Sequence, residues 1–426
     1  MPSSLCDVYP RDRIIFMRTV FFATICVAHL LFASALPAQT RALQVSAPLD
    51  FQVFQRDTAT TGLMHLSGSA PAKAHLKVLI RGTSLRGPLP HHWHKLQLDP
   101  RTGSFAVDLR LPAGGFYAVE FVCSGHGTPR QQITVPHVGI GEVFVIAGQS
   151  NSTNYGEVPQ KITTGLVSTF DGHTWRIAND PQPGVQDNSK KGSFAPAFGD
   201  AMVAHYHVPI GIASVGHGST SVRQWLPAGT PVLVMPTMTK FIATTPNGTL
   251  VSDGTLFRGL LERIRQLGPH GFRALLWHQG ESDAHQAPDH QISAATYAQM
   301  MTQLIESAHR DAGWNFPWFV ALATYHSPTD PSSPELRQAQ RSLWTSGVAL
   351  EGPDTDTLTG SNRQNNGKGV HLSAQGLQAH GRMWADKVSL WLDPLLKSSR
   401  DATSCSLPLS ACQQPSDSGN HTGAQQ

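Results

Sequence analysis

Apolar and polar positions alternate along the first third of the chain, then give way to longer apolar blocks. Leu76-Lys77-Val78-Leu79-Ile80, Ser104-Phe105-Ala106-Val107-Asp108-Leu109 and Phe116-Tyr117-Ala118-Val119-Glu120-Phe121-Val122 are short runs separated by Gly, Pro and Asp. Two of them repeat every second residue, the period of strands buried on one face. Pro112-Ala113-Gly114-Gly115 lies between the last two and reads as a hairpin turn. Residues 45–140 are therefore expected to form a small, all-β, sandwich-like accessory domain.

From Val143 the pattern becomes strands alternating with helices. Val143-Phe144-Val145-Ile146-Ala147, Pro209-Ile210-Gly211-Ile212-Ala213, Ala274-Leu275-Leu276-Trp277 and Trp318-Phe319-Val320-Ala321-Leu322 read as buried strands. Between them Leu256, Leu260, Ile264 and Leu267 share one helical face before Gly268, and Tyr297, Met301, Leu304 and Ala308 do so before Gly313. A last helix starts near Ser373, with Leu377, Trp384, Val388 and Trp391 on one side. Such alternation predicts, over 141–396, a parallel sheet covered on both faces. Residues 397–426, rich in Ser, Gln and Gly without periodicity, are expected to be a disordered tail.

The first 38 residues have the layout of a signal peptide. Arg11, Arg13 and Arg18 precede the apolar stretch Val20 to Leu36, and Ala33, Ala35 and Ala38 offer cleavage sites. Met17 is an alternative start, and a retained membrane anchor is the competing reading of the same stretch. No later segment is long and apolar enough to span a bilayer. The mature protein is expected to be periplasmic or secreted, with no stable membrane span once the leader is removed. Cys405 and Cys412 are spaced to close a short loop in an oxidising compartment, with Cys123 left as a buried small hydrophobe. Charged residues are only 14% and the net charge is +3, with no basic run, which excludes nucleic acid as an expected partner.

Four predicted loops at the carboxyl ends of strands carry chemistry, and open α/β sheets bind ligands at that edge. The first is Gly148-Gln149-Ser150-Asn151, whose serine hydroxyl becomes a nucleophile only beside a base and an oxyanion site. The second is Gly216-His217-Gly218-Ser219-Thr220-Ser221, where small residues let a backbone N–H approach a ligand. The third, Trp277-His278-Gln279-Gly280-Glu281-Ser282-Asp283, has more polar side chains than a strand end needs; Ser282 and Asp283 alone fit a solvated helix cap. The fourth, Gly369-Val370-His371-Leu372-Ser373, holds a histidine able to take the Ser150 proton.

Taken together, these blocks, with Trp225, resemble the SGNH-type hydrolase superfamily, in its sialate O-acetylesterase and carbohydrate esterase family 6 group of acetylesterases. The resemblance covers about residues 141 to 393 in the family's order. It implies a flavodoxin-like three-layer α/β/α domain with a parallel sheet that hydrolyses acetyl esters on sugars, needing no metal or cofactor. By position Ser150 is the nucleophile and His371 the base, with the Ser150 N–H, the Gly218 N–H and the Gln279 side chain as oxyanion donors. Lys368 stands where the family commonly has the acid that orients the histidine. Glu281 is the first choice for that acid, Asp356 or Asp354 the second, and a backbone carbonyl the third. A non-catalytic carbohydrate-binding protein with the same fold is the alternative, as is a lipase or thioesterase with a large apolar groove.

Overall fold

The computed structural model describes residues 42–125 and 128–404. The expected signal peptide and the Cys405 and Cys412 loop lie outside the described residues. Among the described residues no helix is long and apolar enough to cross a membrane.

One strand organises the molecule. The N-terminal strands of three or more residues are β1 (Gln44–Ala47), β2 (Val53–Gln55), β3 (Thr61–Ser69), β4 (His75–Arg81), β5 (Trp93–Leu96), β6 (Ser104–Pro112) and β7 (Gly114–Gly125), and they lead into β8 (Thr128–Gly148). β8 is 21 residues long. Its first half pairs antiparallel with β7. Its second half lies between two parallel neighbours of the main sheet. The expected boundary near residue 140 therefore falls inside a continuous strand, and the described residues form one compact unit.

The expected hairpin at Pro112–Gly115 is a corner instead. β6 pairs with β3, whereas β7 pairs with β4 and β8. Ala113 is buried, and the Tyr117 hydroxyl donates to Pro112 O at 2.9 Å. The alternating pattern predicted both strands correctly but says nothing of which sheet each joins. Met64, Leu66 and Phe105 belong to one buried cluster with Val78, Ile80, Val119 and Phe121.

The main sheet adds β9 (Val167–Phe170), β10 (Trp175–Ile177), β11 (Ile210–Ser214), β12 (Ala274–His278), β13 (Trp318–Leu322) and β14 (Leu350–Asp354). Their order is β10-β9-β11-β8-β12-β13-β14, all parallel except the edge strand β10. The longer helices are α1 (Ala195–Tyr206), α2 (Thr255–Leu267), α3 (Ala294–Ala312), α4 (Pro334–Thr345) and α5 (Ala374–Ser404). Successive side chains of a strand point to opposite faces. Accordingly Phe144 and Ile146 of β8 join a cluster with Phe198 of α1 and Trp384 of α5. Val143 and Val145 join another with Leu260 of α2, Leu304 of α3 and Leu343 of α4. The result is a mixed α/β fold whose central strands are buried on both sides.

α5 continues to Ser404, past the expected end at Lys397. Residues 398–404 contain neither Gly nor Pro to stop it.

Candidate active site

The four loops singled out in the sequence meet at the carboxyl edge of β8, β11 and β12. Gly148 ends β8 with φ +124°, and a Cβ there would lie 2.1 Å from His278 O. Only glycine lets the chain turn this close to β12. Gln149 N–H then donates to His278 O at 2.8 Å, and His217 N–H to Gly148 O at 2.9 Å. Ser150 opens a single 3₁₀ turn, Ser150–Ser152, and is buried. Among the described residues its Oγ makes no hydrogen bond.

His371 comes to the same place from far along the chain. Asn151 Nδ2 donates to Val370 O at 3.3 Å, and Glu157 N–H to Leu372 O at 2.9 Å. The Tyr155 ring stacks on His371 with centroids 5.1 Å apart. Burial pushes the His371 pKa below its usual value. The Arg363 and Lys191 charges act in the same sense, and Glu281 opposes them. The ring is therefore neutral at pH 7, the state a general base needs.

Glu281 lies within this cluster but does not hydrogen-bond His371. Its Oε1 accepts from Asn151 Nδ2 at 2.9 Å and meets His278 Nε2 at 2.9 Å. Behind His278, a buried line of donors runs inward. Trp384 Nε1–H donates to His380 Nε2 at 2.9 Å. That nitrogen is thus an acceptor, and His278 Nδ1 faces it at 3.1 Å. Burial pushes the Glu281 pKa up, but the His278 interaction and the Asn151 bond outweigh it and hold the carboxyl below its ordinary value. His380, wholly buried, is pushed far below its ordinary pKa.

The other expected acids are engaged elsewhere. Asp356 accepts from Thr324 N, Thr324 Oγ1 and Tyr325 N at 2.6–2.8 Å and from Arg337 at 2.7 Å. Asp354 forms a two-pronged pair with the same arginine. Asp356 ties the segment after β13 to α4, Asp354 ties the end of β14 to the same helix, and neither bonds His371.

Two of the three expected oxyanion donors are also occupied. The Gly218 N–H donates to Asp187 Oδ2 at 2.7 Å. The Gln279 amide nitrogen donates to Asp283 Oδ2 at 2.7 Å and Thr220 O at 3.0 Å, while its oxygen accepts from Tyr297 at 3.1 Å. Gln279 is completely buried, so it knits loops together rather than facing a ligand.

Asp283, expected as a solvated cap, is a buried hub. It accepts from Ser221 Oγ, Val222 N and Gln279, with the Arg223 guanidinium 3.7 Å away. Burial raises its pKa despite these partners. Trp225 donates to Thr220 Oγ1 at 2.9 Å, closing the same loop.

Sequence reasoning missed Arg363 and Asp187. Arg363 is buried and donates to Val370 O at 2.7 Å and Thr355 O at 3.0 Å, and its guanidinium lies 3.8 Å from the Tyr325 ring centre. It fixes the His371 loop. Its neighbours Ser361-Asn362 and Gln364-Asn365 look like solvated loop, so only the isolated arginine hinted at burial.

Among the described residues, the donor atoms of His285, His326 and Asp330 lie within 4.8 Å of one another. The two rings stack at 4.4 Å and 25°, which sends their lone pairs side by side rather than toward one point. None of the three belongs to the Ser150 cluster.

A parallel α/β sheet with buried Ser150 and Glu281 and half-buried His371 at its carboxyl edge has the layout at which open sheets bind ligands. The family described as carbohydrate esterase, sialic acid-specific acetylesterase matches residues 140–389, more than half of the chain. The chain belongs to this family and is a carbohydrate O-acetylesterase, a carboxylic ester hydrolase. No curated protein matches it. Among solved structures it is similar to a carbohydrate acetylesterase from Xanthomonas citri, at 18% identity over 80% of this chain and 73% of the other, with a TM-score of 0.49. A protein from Arabidopsis thaliana is 17% identical over 59% of this chain and 98% of its own, with a TM-score of 0.41. A carbohydrate esterase family 2 enzyme with a carbohydrate binding domain, from Corynascus (Myceliophthora fergusii), is 14% identical over 83% and 100%, at 0.36. None of these overlaps reaches 0.5, and membership rests on the sequence match.

Proposed function

We propose that the chain is a secreted serine esterase of the SGNH type, with a flavodoxin-like catalytic sheet. It removes O-acetyl groups from carbohydrates of the sialic acid or plant polysaccharide kind through an acetyl-enzyme. Ser150 attacks the acetyl carbonyl while His371 accepts its proton. His371 then protonates the departing sugar oxygen, and water releases acetate by the reverse route. The observation that carries this reading is the attachment of the His371 loop to the Ser150 turn through Asn151, Glu157 and Tyr155.

The Ser150 N–H is the first oxyanion donor. The Gly218 N–H joins it when the acyl oxygen displaces the Asp187 carboxylate, since a carboxylate and a developing oxyanion compete for the same donor. Glu281 supports the reaction by holding Asn151.

Acetate release from an aryl acetate and from acetylated glycans, abolished in Ser150→Ala, tests the serine mechanism. Acetate release that persists in Ser150→Ala refutes it.

A further inference from the structure

Lys368 leaves the orienting position without an acid, yet the His371 ring is not left to itself. Residues 363 to 372 double back on themselves. Arg363 and Leu372 form an antiparallel bridge. Gln364 N–H donates to His371 O at 3.0 Å, and Gly369 N–H to Gln364 O at 3.0 Å. Asn365 and Asn366 both take left-handed backbone, φ 56° and 54°, which asparagine tolerates better than most residues. This tight turn brings Gln364 opposite His371. A Cβ on Gly369 would lie 2.3 Å from Gln364 Cγ, so the glycine makes room for that side chain. The Gln364 amide nitrogen is 3.0 Å from His371 Nδ1, and Tyr155 covers the ring face.

An amide offers a donor at one end and an acceptor of nearly the same shape at the other. With Nε2 toward the ring, Gln364 donates to Nδ1, and the imidazole proton sits on His371 Nε2. That tautomer cannot accept a proton from Ser150. With the amide turned over, Oε1 accepts from Nδ1–H, and His371 Nε2 carries the free lone pair.

We propose that Gln364 is the positioning residue of this esterase. Its neutral amide orients His371 in place of an acid and, by turning over, sets the tautomer in which Nε2 is the base. The proposal rests on the serine-esterase reading above. In the acylation step the Ser150 Oγ–carbon bond forms as the Oγ proton moves to His371 Nε2. The Nδ1 proton stays on the ring throughout, held by Gln364 Oε1, while Nε2 gives its proton to the sugar oxygen as the bond between that oxygen and the acetyl carbon breaks.

Gln364→Ala and Gln364→Glu test this, with kcat and KM for an aryl acetate followed from pH 5 to 8 and the His371 ring nitrogens followed by ¹⁵N NMR. Gln364→Ala is expected to lower kcat about tenfold with little change in KM. Gln364→Glu, of equal size, is expected to keep or exceed wild-type kcat and move the acid limb up by about one pH unit, because a carboxylate favours the protonated ring. Glu281, Tyr155, Arg363 and Lys191 face the ring alike in all three proteins, so the shift reports on position 364. Wild-type His371 should carry its proton on Nδ1, and Gln364→Ala should lose that preference. An unchanged kcat, limb and tautomer in Gln364→Ala overturns the proposal. So does a Glu281→Gln variant that moves the tautomer where the Gln364 variants do not. Absence of acetate release by wild type sinks the esterase reading instead, while the NMR tautomer still decides the role of Gln364.

Discussion

Asn151 Nδ2 donates to Glu281 Oε1 at 2.9 Å, so the carboxylate holds the residue after Ser150 rather than the ring of His371. The same oxygen meets His278, and the buried line His278, His380 and Trp384 backs it from inside the protein. The Ser150 turn and His371 are therefore steadied by separate parts of the chain. Glu281 steadies the turn, and the doubled-back segment 363–372 steadies the histidine.

That division predicts how two substitutions combine. Glu281→Gln and Asn151→Ala should each lower kcat by about 100-fold, the scale on which a displaced catalytic group is felt. Because both remove one contact, the double variant should be little worse than either single one. Additive losses in kcat would mean that Glu281 acts on His371 directly.

The pH dependence of activity follows from the burial of His371. Desolvation lowers its pKa, so the neutral ring persists below the ordinary value of ~6.5. The acid limb of kcat/KM for an aryl acetate should have its midpoint under ~6.5. A midpoint above that value would require a stronger negative partner than the structure gives the ring.

Stability should respond to pH in the same range. His371 and His380 both have folded pKa values lowered by burial. As pH falls through the unfolded value of ~6.5, the unfolded chain takes up protons that the folded chain refuses, so stability falls until the lowered folded values are reached. Denaturation midpoints measured at pH 7.5 and 5.5 should drop on acidification, and His380→Gln should reduce that drop. Equal drops in the two proteins would remove His380 from the account.

Much of this was legible in the sequence. The buried runs beginning at Val143, Ile210, Ala274 and Trp318 appear as strands because an all-apolar block has few other homes in an α/β sheet. The four polar loops followed from where those strands end. Partner choice was not legible. Pro112–Gly115 looked like a hairpin because spacing cannot say which sheet a strand joins. Asp283 and Gln279 looked exposed or ligand-facing because a lone polar residue in the sequence does not show its buried partners. Asp187, from a loop about 30 residues upstream, reaches the Gly218 N–H through a fold that only the structure shows.

The Asp187 contact gives a test of the oxyanion site. Removing its carboxylate in Asp187→Ala frees the Gly218 N–H, and one such donor is worth about 10²–10³ in kcat elsewhere. Turnover should rise, at least threefold on this rough scale, with the pH profile unmoved. A fall in turnover would show that Asp187 is needed to hold the Gly218 loop in place.

Asp356 gives the contrasting case. It satisfies two backbone N–H groups, a hydroxyl and Arg337 beside the end of β13, so Asp356→Asn should lower the denaturation midpoint while leaving the kcat of the folded enzyme within about twofold, since only groups that act in the transition state change kcat. A hundredfold loss of kcat with unchanged stability would restore it as the acid of the triad.

The last prediction concerns the strand that carries Ser150. Glu142 of β8 is wholly buried, and its oxygens are shared between Arg56, 2.6 Å away, Arg273, 2.7 Å away, and Gln55, 2.8 Å away. Burial pushes its pKa up, but the two guanidinium charges and their hydrogen bonds hold the carboxyl below its ordinary value. Arg56 and Gln55 precede β3, and Arg273 leads into β12, so this one carboxylate ties the N-terminal strands to the central sheet. Removing one partner of a buried pair leaves a charge without compensation and typically costs ~3–5 kcal/mol. Glu142→Gln should lose stability on that order, with the two arginines left facing a neutral amide. Replacing Arg56 as well, with methionine, should recover part of the loss, because the orphaned guanidinium goes with it. If Glu142→Gln unfolds at the wild-type denaturant concentration, the ion pair is not what fastens the β-rich segment to the sheet.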